Sequence, residues 1–119
     1  MSPDRPAGPP SPDAPVPLDE AAFEQAVASP RFLLFKHSLV CPISAAAFSE
    51  YRRFVAAHPD VPTGWIDVIG QRPLARGISE RTGIRHESPQ AMWFVGGKVT
   101  WTASHAGINA TSLARVTSA

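Results

Sequence analysis

The chain has 119 residues, with 11 Lys+Arg against 10 Asp+Glu and a single cysteine. That length supports one small domain with a core, and one cysteine excludes both an internal disulfide framework and a cysteine-rich zinc site. A net charge of +1 supplies no electrostatic drive toward nucleic acid or a membrane surface, so neither is expected as a partner.

Seven of the 13 prolines fall in residues 1–17, MSPDRPAGPPSPDAPVP. No apolar periodicity runs through them, and proline cannot donate to a helix or a sheet. This predicts a disordered or polyproline-type tail over 1–17, ahead of a folded domain over 18–119. The N-terminus lacks the basic start and apolar stretch of a signal peptide. The longest apolar runs, Phe32–Phe35 and Ala91–Val95, are too short to span a bilayer. A cytoplasmic protein is the expectation, and a lone thiol suits that reducing compartment.

Val16–Leu18 is short enough for a minimal edge strand. Asp19 is a good N-cap for a helix to about Ser29, with Leu18, Ala22, Phe23, Ala26 and Val27 on one face and Pro30 as its stop. Arg31–Lys36 contains the run FLLF and reads as a fully buried strand. A turn follows, HSLVCP, and Pro42 fits the first position of a second helix reaching about His58. Trp65, Ile66, Val68 and Ile69 suggest another strand. Pro73 opens a helix that Gly83 closes. Gln90–Val95 and Val99–Thr102 are strands joined by the turn Gly96–Gly97, and a last helix lies around Ala110–Val116. Helices between the early strands require crossovers, whereas the last two strands form a hairpin. The prediction is an α/β sandwich: a mixed sheet of four to five strands flanked by helices.

Cys41 sits where a buried strand meets a helix. With the helix starting at Pro42, its sulfur lies at the N-cap, where free N–H groups and the positive dipole end favour a thiolate, the nucleophile of disulfide exchange. Lys36 and His37, just upstream, add positive potential. A buried structural cysteine is the bland alternative. Ser44 stands three residues on, where a CxxC pair would carry its second thiol, and serine cannot resolve a mixed disulfide. Cys-Pro-Ile-Ser is therefore a monothiol arrangement that needs an external thiol. Ser44 either hydrogen-bonds the thiolate or serves the first helical turn.

Ser88-Pro89, between a helix and a strand, is a place for a cis bond, where the Ser88 backbone can pair with an extended substrate. An ordinary trans proline at a strand start is the other reading. His37, His86 and His105 read as loop residues, and His58 as a helix terminus. Their spacings with Cys41 match no metal site, so no metal is expected. Gly96-Gly97-Lys98 lacks the context of a phosphate loop. Asp67, Ser104 and His105 lack the strand–turn–helix context of a hydrolase. Trp65, Trp93 and Trp101 read as core or sheet-face residues.

Three segments together resemble a known family. Phe35-Lys36-His37-Ser38-x-x-Cys41-Pro42-Ile43-Ser44, Gly83-x-x-His86-Glu87-Ser88-Pro89-Gln90 and Gly97-Lys98-Val99-x-Trp101-x-Ala103-Ser104-His105 are similar, in order, to the signatures of the monothiol bacilliredoxins, the YtxJ-type proteins of the bacillithiol system. Arg72, in Val68-Ile69-Gly70-Gln71-Arg72-Pro73-Leu74, also fits. The resemblance runs from about Leu18 to Leu113; the proline-rich tail and Ala106–Asn109 depart from it. It implies a thioredoxin-like fold and a thiol-disulfide oxidoreductase acting on proteins in mixed disulfide with bacillithiol, a thiol built from cysteine, glucosamine and malate. Cys41 is then the nucleophile and Pro42, Ser44, Lys36 and His37 its support. Bacillithiol is a co-substrate, no bound cofactor is implied, and the partners are S-bacillithiolated client proteins.

Malate carries two carboxylates. Lys36, Arg72, Arg85 and His86 are the cations in or near the motif segments, and charge-assisted hydrogen bonds from one or two of them can hold the malate end. Two other functions fit a lone cysteine at a helix start: a glutaredoxin-like iron–sulfur cluster carrier, and a non-enzymatic module that binds a partner along the Ser88–Pro89 edge.

Overall fold

The computed structural model describes residues 17–118. Asp19 caps α1 (Glu20–Val27), its carboxylate accepting the Ala22 N–H at 2.7 Å. The chain then runs through β1 (Arg31–His37), α2 (Pro42–Ala57), β2 (Thr63–Asp67) and α3 (Arg72–Thr82). Next come β3 (Gln90–Val95), β4 (Lys98–Ser104), one 3-10 turn (His105–Gly107) and α4 (Ala110–Thr117). Gly83 ends α3 at φ 71°, and Gly96 and Gly97 turn the β3–β4 hairpin at φ 60° and 82°. These left-handed values suit glycine, which has no Cβ to clash.

The four strands form one sheet in the order β2-β1-β3-β4. β1 and β2 are parallel, while β1–β3 and β3–β4 are antiparallel. The sheet is mixed because α2 carries the chain over from β1 to β2, whereas β4 returns through a two-residue turn. Alternation along the strands splits the core. Leu33, Phe35, Trp65, Ala91 and Trp93 pack under α2 and α4 with Tyr51, Phe54 and Leu113. Phe32, Leu34, Ile66, Met92 and Phe94 pack under α1 and α3 with Phe23, Val27 and Ile78. Each large apolar side chain so buried contributes about 1.5–3 kcal/mol relative to exposure.

Register fixes which loops meet. His37 pairs with Asp67, Lys36 with Gln90, and Gln90 with Ser104. Residues 38–41, 68–71, 84–89 and 105–109 therefore all leave the sheet at one end, the carboxyl end of the parallel pair. That is where open α/β sheets place their ligands.

Three sequence expectations need correction. Pro17 and Leu18 form no strand; Leu18 gives one backbone bond, to the Trp65 carbonyl at 2.8 Å, and buries its side chain. Val16 and the rest of the proline-rich tail lie outside the described residues. β2 spans 63–67 rather than 65–69, because the Asp67 carboxylate accepts the N–H groups of Ile69 and Gly70 and turns the chain there. His37 is not a loop residue but the buried last residue of β1.

Candidate active site

Cys41 is the N-cap of α2, with extended backbone (φ −107°, ψ 120°), Pro42 in the first turn and no capping bond from its own side chain. The sulfur-bearing residue is half-buried and free. Its neighbours are apolar and face outward: Leu39 is 63% exposed, Val40 77% and Ile43 57%.

Ser44 forms no hydrogen bond to Cys41 among the described residues. It is fully buried, accepts the Ser38 N–H at 2.9 Å and pairs with His37 Nδ1 at 2.7 Å. Burial holds the His37 pKa below its ordinary value, with the Asp67 charge opposing. A neutral imidazole with its proton on Nε2 lets the hydroxyl donate to Nδ1 while accepting from Ser38, so the hydroxyl both donates and accepts. The ring is clamped as well, stacked on Phe48 at 4.2 Å and edge-on to Trp65 at 5.4 Å. Ser44 and His37 thus fasten the segment 38–41 to the end of β1.

Lys36 points to the other face of the sheet. It is wholly buried, and its Nζ donates to Gln90 Oε1 at 2.8 Å. Gln90 in turn donates to the Arg85 carbonyl and accepts the Glu87 N–H. Burial pushes the Lys36 pKa down to about 8, against the pull of Glu87. The lysine therefore holds the 85–87 segment from beneath rather than reaching a ligand at the surface.

That segment ends in a cis Ser88–Pro89 peptide. Pro89 is buried, and its carbonyl accepts the His105 N–H at 3.2 Å. His105, at φ 54°, also places Nδ1 3.5 Å from Glu87 Oε1. The Ser88 backbone forms no hydrogen bond among the described residues, and its Oγ is buried without a partner.

A cavity of about 280 Å³ opens at the same end of the molecule, lined by Val68, Ile69, Arg72, Arg76, Ser79 and His86 among others. It unites two of the four cations picked from the sequence, Arg72 and His86. Arg85 is exposed and does not line it, and Lys36 lies below. Burial lowers the His86 pKa, the Lys36 and Arg72 charges lower it further, and Glu87 opposes them. Arg76 and Ser79 were missed by sequence reasoning, although the Arg72/Arg76 spacing of one helical turn was the signal that could have found Arg76.

A mixed four-stranded sheet between two helical layers, with a lone cysteine heading a helix after the first strand, is that of a thioredoxin-fold protein. Residues 18–113 match the family model described as monothiol bacilliredoxin BrxC, and the chain belongs to that family of monothiol thiol oxidoreductases. A solved thioredoxin-fold protein, described as a proposed oxidoreductase, is 36% identical, with 82% of this chain and 87% of that one covered and a TM-score of 0.76. The protein Trxlp from Edwardsiella tarda (18% identity, 85% and 95% covered, TM-score 0.66) shares the fold. So does Fasciola hepatica thioredoxin (16% identity, 82% and 90% covered, TM-score 0.66).

Proposed function

We propose that this protein removes bacillithiol from protein mixed disulfides in a reducing, cytoplasm-like compartment, with Cys41 as the nucleophile. The observation that carries the reading is the half-exposed cysteine at the N-cap of α2 with Ser44, not a thiol, three residues on. The Cys41 thiolate attacks the bacillithiol sulfur of the mixed disulfide. A Cys41–bacillithiol disulfide forms, and the client sulfur leaves as a thiolate that takes a proton from solvent. A second bacillithiol thiolate then attacks the bound bacillithiol sulfur, releasing oxidised bacillithiol and the Cys41 thiolate. The second bacillithiol is the reductant: its sulfur passes from thiol to disulfide as the client sulfur passes from disulfide to thiol, so the exchange balances with thiols alone.

Two features support the handling of a protein client. Ser88 offers a free backbone N–H and C=O beside the cis-proline, suited to pairing with an extended segment. Leu39, Val40 and Ile43, flanking Cys41 along the chain, expose apolar surface. The test is intact-mass measurement after incubation with the disulfides of bacillithiol, glutathione and mycothiol. A single adduct formed selectively from bacillithiol, and absent from Cys41→Ser, is the expected result. Equal labelling by all three disulfides removes the bacillithiol assignment, and labelling of Cys41→Ser removes the nucleophile.

A further inference from the structure

We infer that the cavity between α3, the Val68–Ile69 turn and His86 is the subsite for the dicarboxylate arm of the thiol co-substrate, with Arg72 and Arg76 as its paired ligands. The inference rests on the bacillithiol reading above and adds to it the place and the residues of recognition.

Arg72 and Arg76 stand one turn apart on α3, so their side chains leave the same helix face about 6 Å apart along the axis. Both line the cavity, and neither forms an ion pair or hydrogen bond among the described residues. Other arginines do find carboxylates: Arg53 pairs with Glu50 and Arg81 with Glu24. Two unpaired guanidinium groups at one cavity are matched by two carboxylates on a short carbon chain, each able to take a bidentate pair of bonds.

The surroundings support an anion. Arg72 opens α3, at the positive end of its dipole. His86, which also lines the cavity, adds a ring N–H. Lys36, buried beneath, acts on His86 with a positive charge. Two carboxylates at this end of the sheet have partners of their own: Asp67 takes the N–H groups of Ile69 and Gly70, and Glu87 faces His105. Val68 and Ile69 provide apolar contact for the carbon skeleton.

Position ties the cavity to the chemistry. The Val68 N–H donates to the His37 carbonyl at 3.0 Å, so the cavity wall is bonded to the start of the segment leading to Cys41. A thiol bound with its sulfur at Cys41 and its acidic end over α3 spans these adjoining loops. Arg85 stays outside this arrangement.

The experiment compares three thiols as regenerants of the Cys41 mixed disulfide: bacillithiol, cysteinyl-glucosamine (the same thiol without malate) and coenzyme A, whose anionic groups are phosphates. Arg72→Ala and Arg76→Ala are expected to raise the KM for bacillithiol about tenfold each, to leave cysteinyl-glucosamine unaffected, and to leave kcat near the parent value. Arg115→Ala, on α4, serves as the unaffected control. An equal loss with both glucosamine thiols, or no loss with bacillithiol, overturns the inference. A loss confined to coenzyme A assigns the cavity to phosphate and overturns it too. L-malate alone, followed by NMR shifts of the Val68 and Ile69 amides and the His86 ring, gives an independent arm. Saturable shifts that vanish in Arg76→Ala support the site, and their absence from the parent protein overturns it. If the parent protein never accepts bacillithiol, the proposed function falls while the malate titration still decides the cavity.

Discussion

At the scale of single residues, the Cys41–Pro42 junction follows from local chemistry, since a strand-to-helix break followed by proline has few local meanings, whereas the partner of Ser44 is chosen by the path of the chain. Nothing in the spacing of Ser44 and His37 says that the hydroxyl turns inward to the imidazole at 2.7 Å rather than toward the sulfur. His37 itself follows an apolar run and invites a loop reading, although it continues the alternation of Leu33 and Phe35. The geometry makes a specific prediction for Ser44→Ala. The variant leaves the Ser38 N–H and His37 Nδ1 buried without a partner, each a cost of about 1–3 kcal/mol. Its urea midpoint should fall by the equivalent of about 2 kcal/mol with an unchanged slope. Disulfide exchange at Cys41 should persist, because the hydroxyl is committed to His37 and Ser38. A variant as stable as the parent would remove the fastening role assigned to Ser44.

At the scale of elements, most boundaries could be read from caps and breakers. Asp19, Pro42, Gly83 and Gly96–Gly97 all act as their local chemistry dictates. β2 slipped by two residues because its end is set by the Asp67 side chain folding back on the turn, which apolar content cannot report. The sequence also could not show that Lys36 bridges β1 to the segment before β3, since that depends on the antiparallel pairing of Lys36 with Gln90. This buried bridge has a pH signature. The folded-state pKa is about 8 against an ordinary 10.5, so the folded chain gives up its proton first. Below about 8 both states are protonated and the full cost of burying the charge stands. Between about 8 and 10.5 the unfolded chain holds the extra proton, and this group's contribution to stability rises with pH. Lys36→Met removes the charge while keeping the length. It should raise Tm at pH 7 by a few degrees, and the advantage should shrink as pH climbs through that window. A constant difference across the window would show that lysine titration is not what separates the two proteins.

At the scale of the whole molecule, one end of the sheet carries two surfaces of opposite character. One is the cavity of Arg72, Arg76 and His86; the other is made by Leu39, Val40 and Ile43, next to Cys41 along the chain, which project apolar side chains into solvent. A mixed disulfide has the same asymmetry, one half a small acidic thiol and the other a protein. A polypeptide client brings apolar side chains that a small dicarboxylate thiol lacks, so under the proposed function the apolar rim serves the client half. Val40→Ser combined with Ile43→Ser separates the two roles without changing charge beside Cys41. Partial burial of two aliphatic side chains against a client accounts for about 1–2 kcal/mol. The double variant should therefore lose about tenfold in kcat/KM toward an S-bacillithiolated protein. Its rate with the symmetrical bacillithiol disulfide should stay at the parent value, since that substrate has no apolar half. Equal losses on both substrates would mean that the rim shapes the loop around Cys41. No loss on either would mean that clients meet the sulfur through the Ser88 backbone alone.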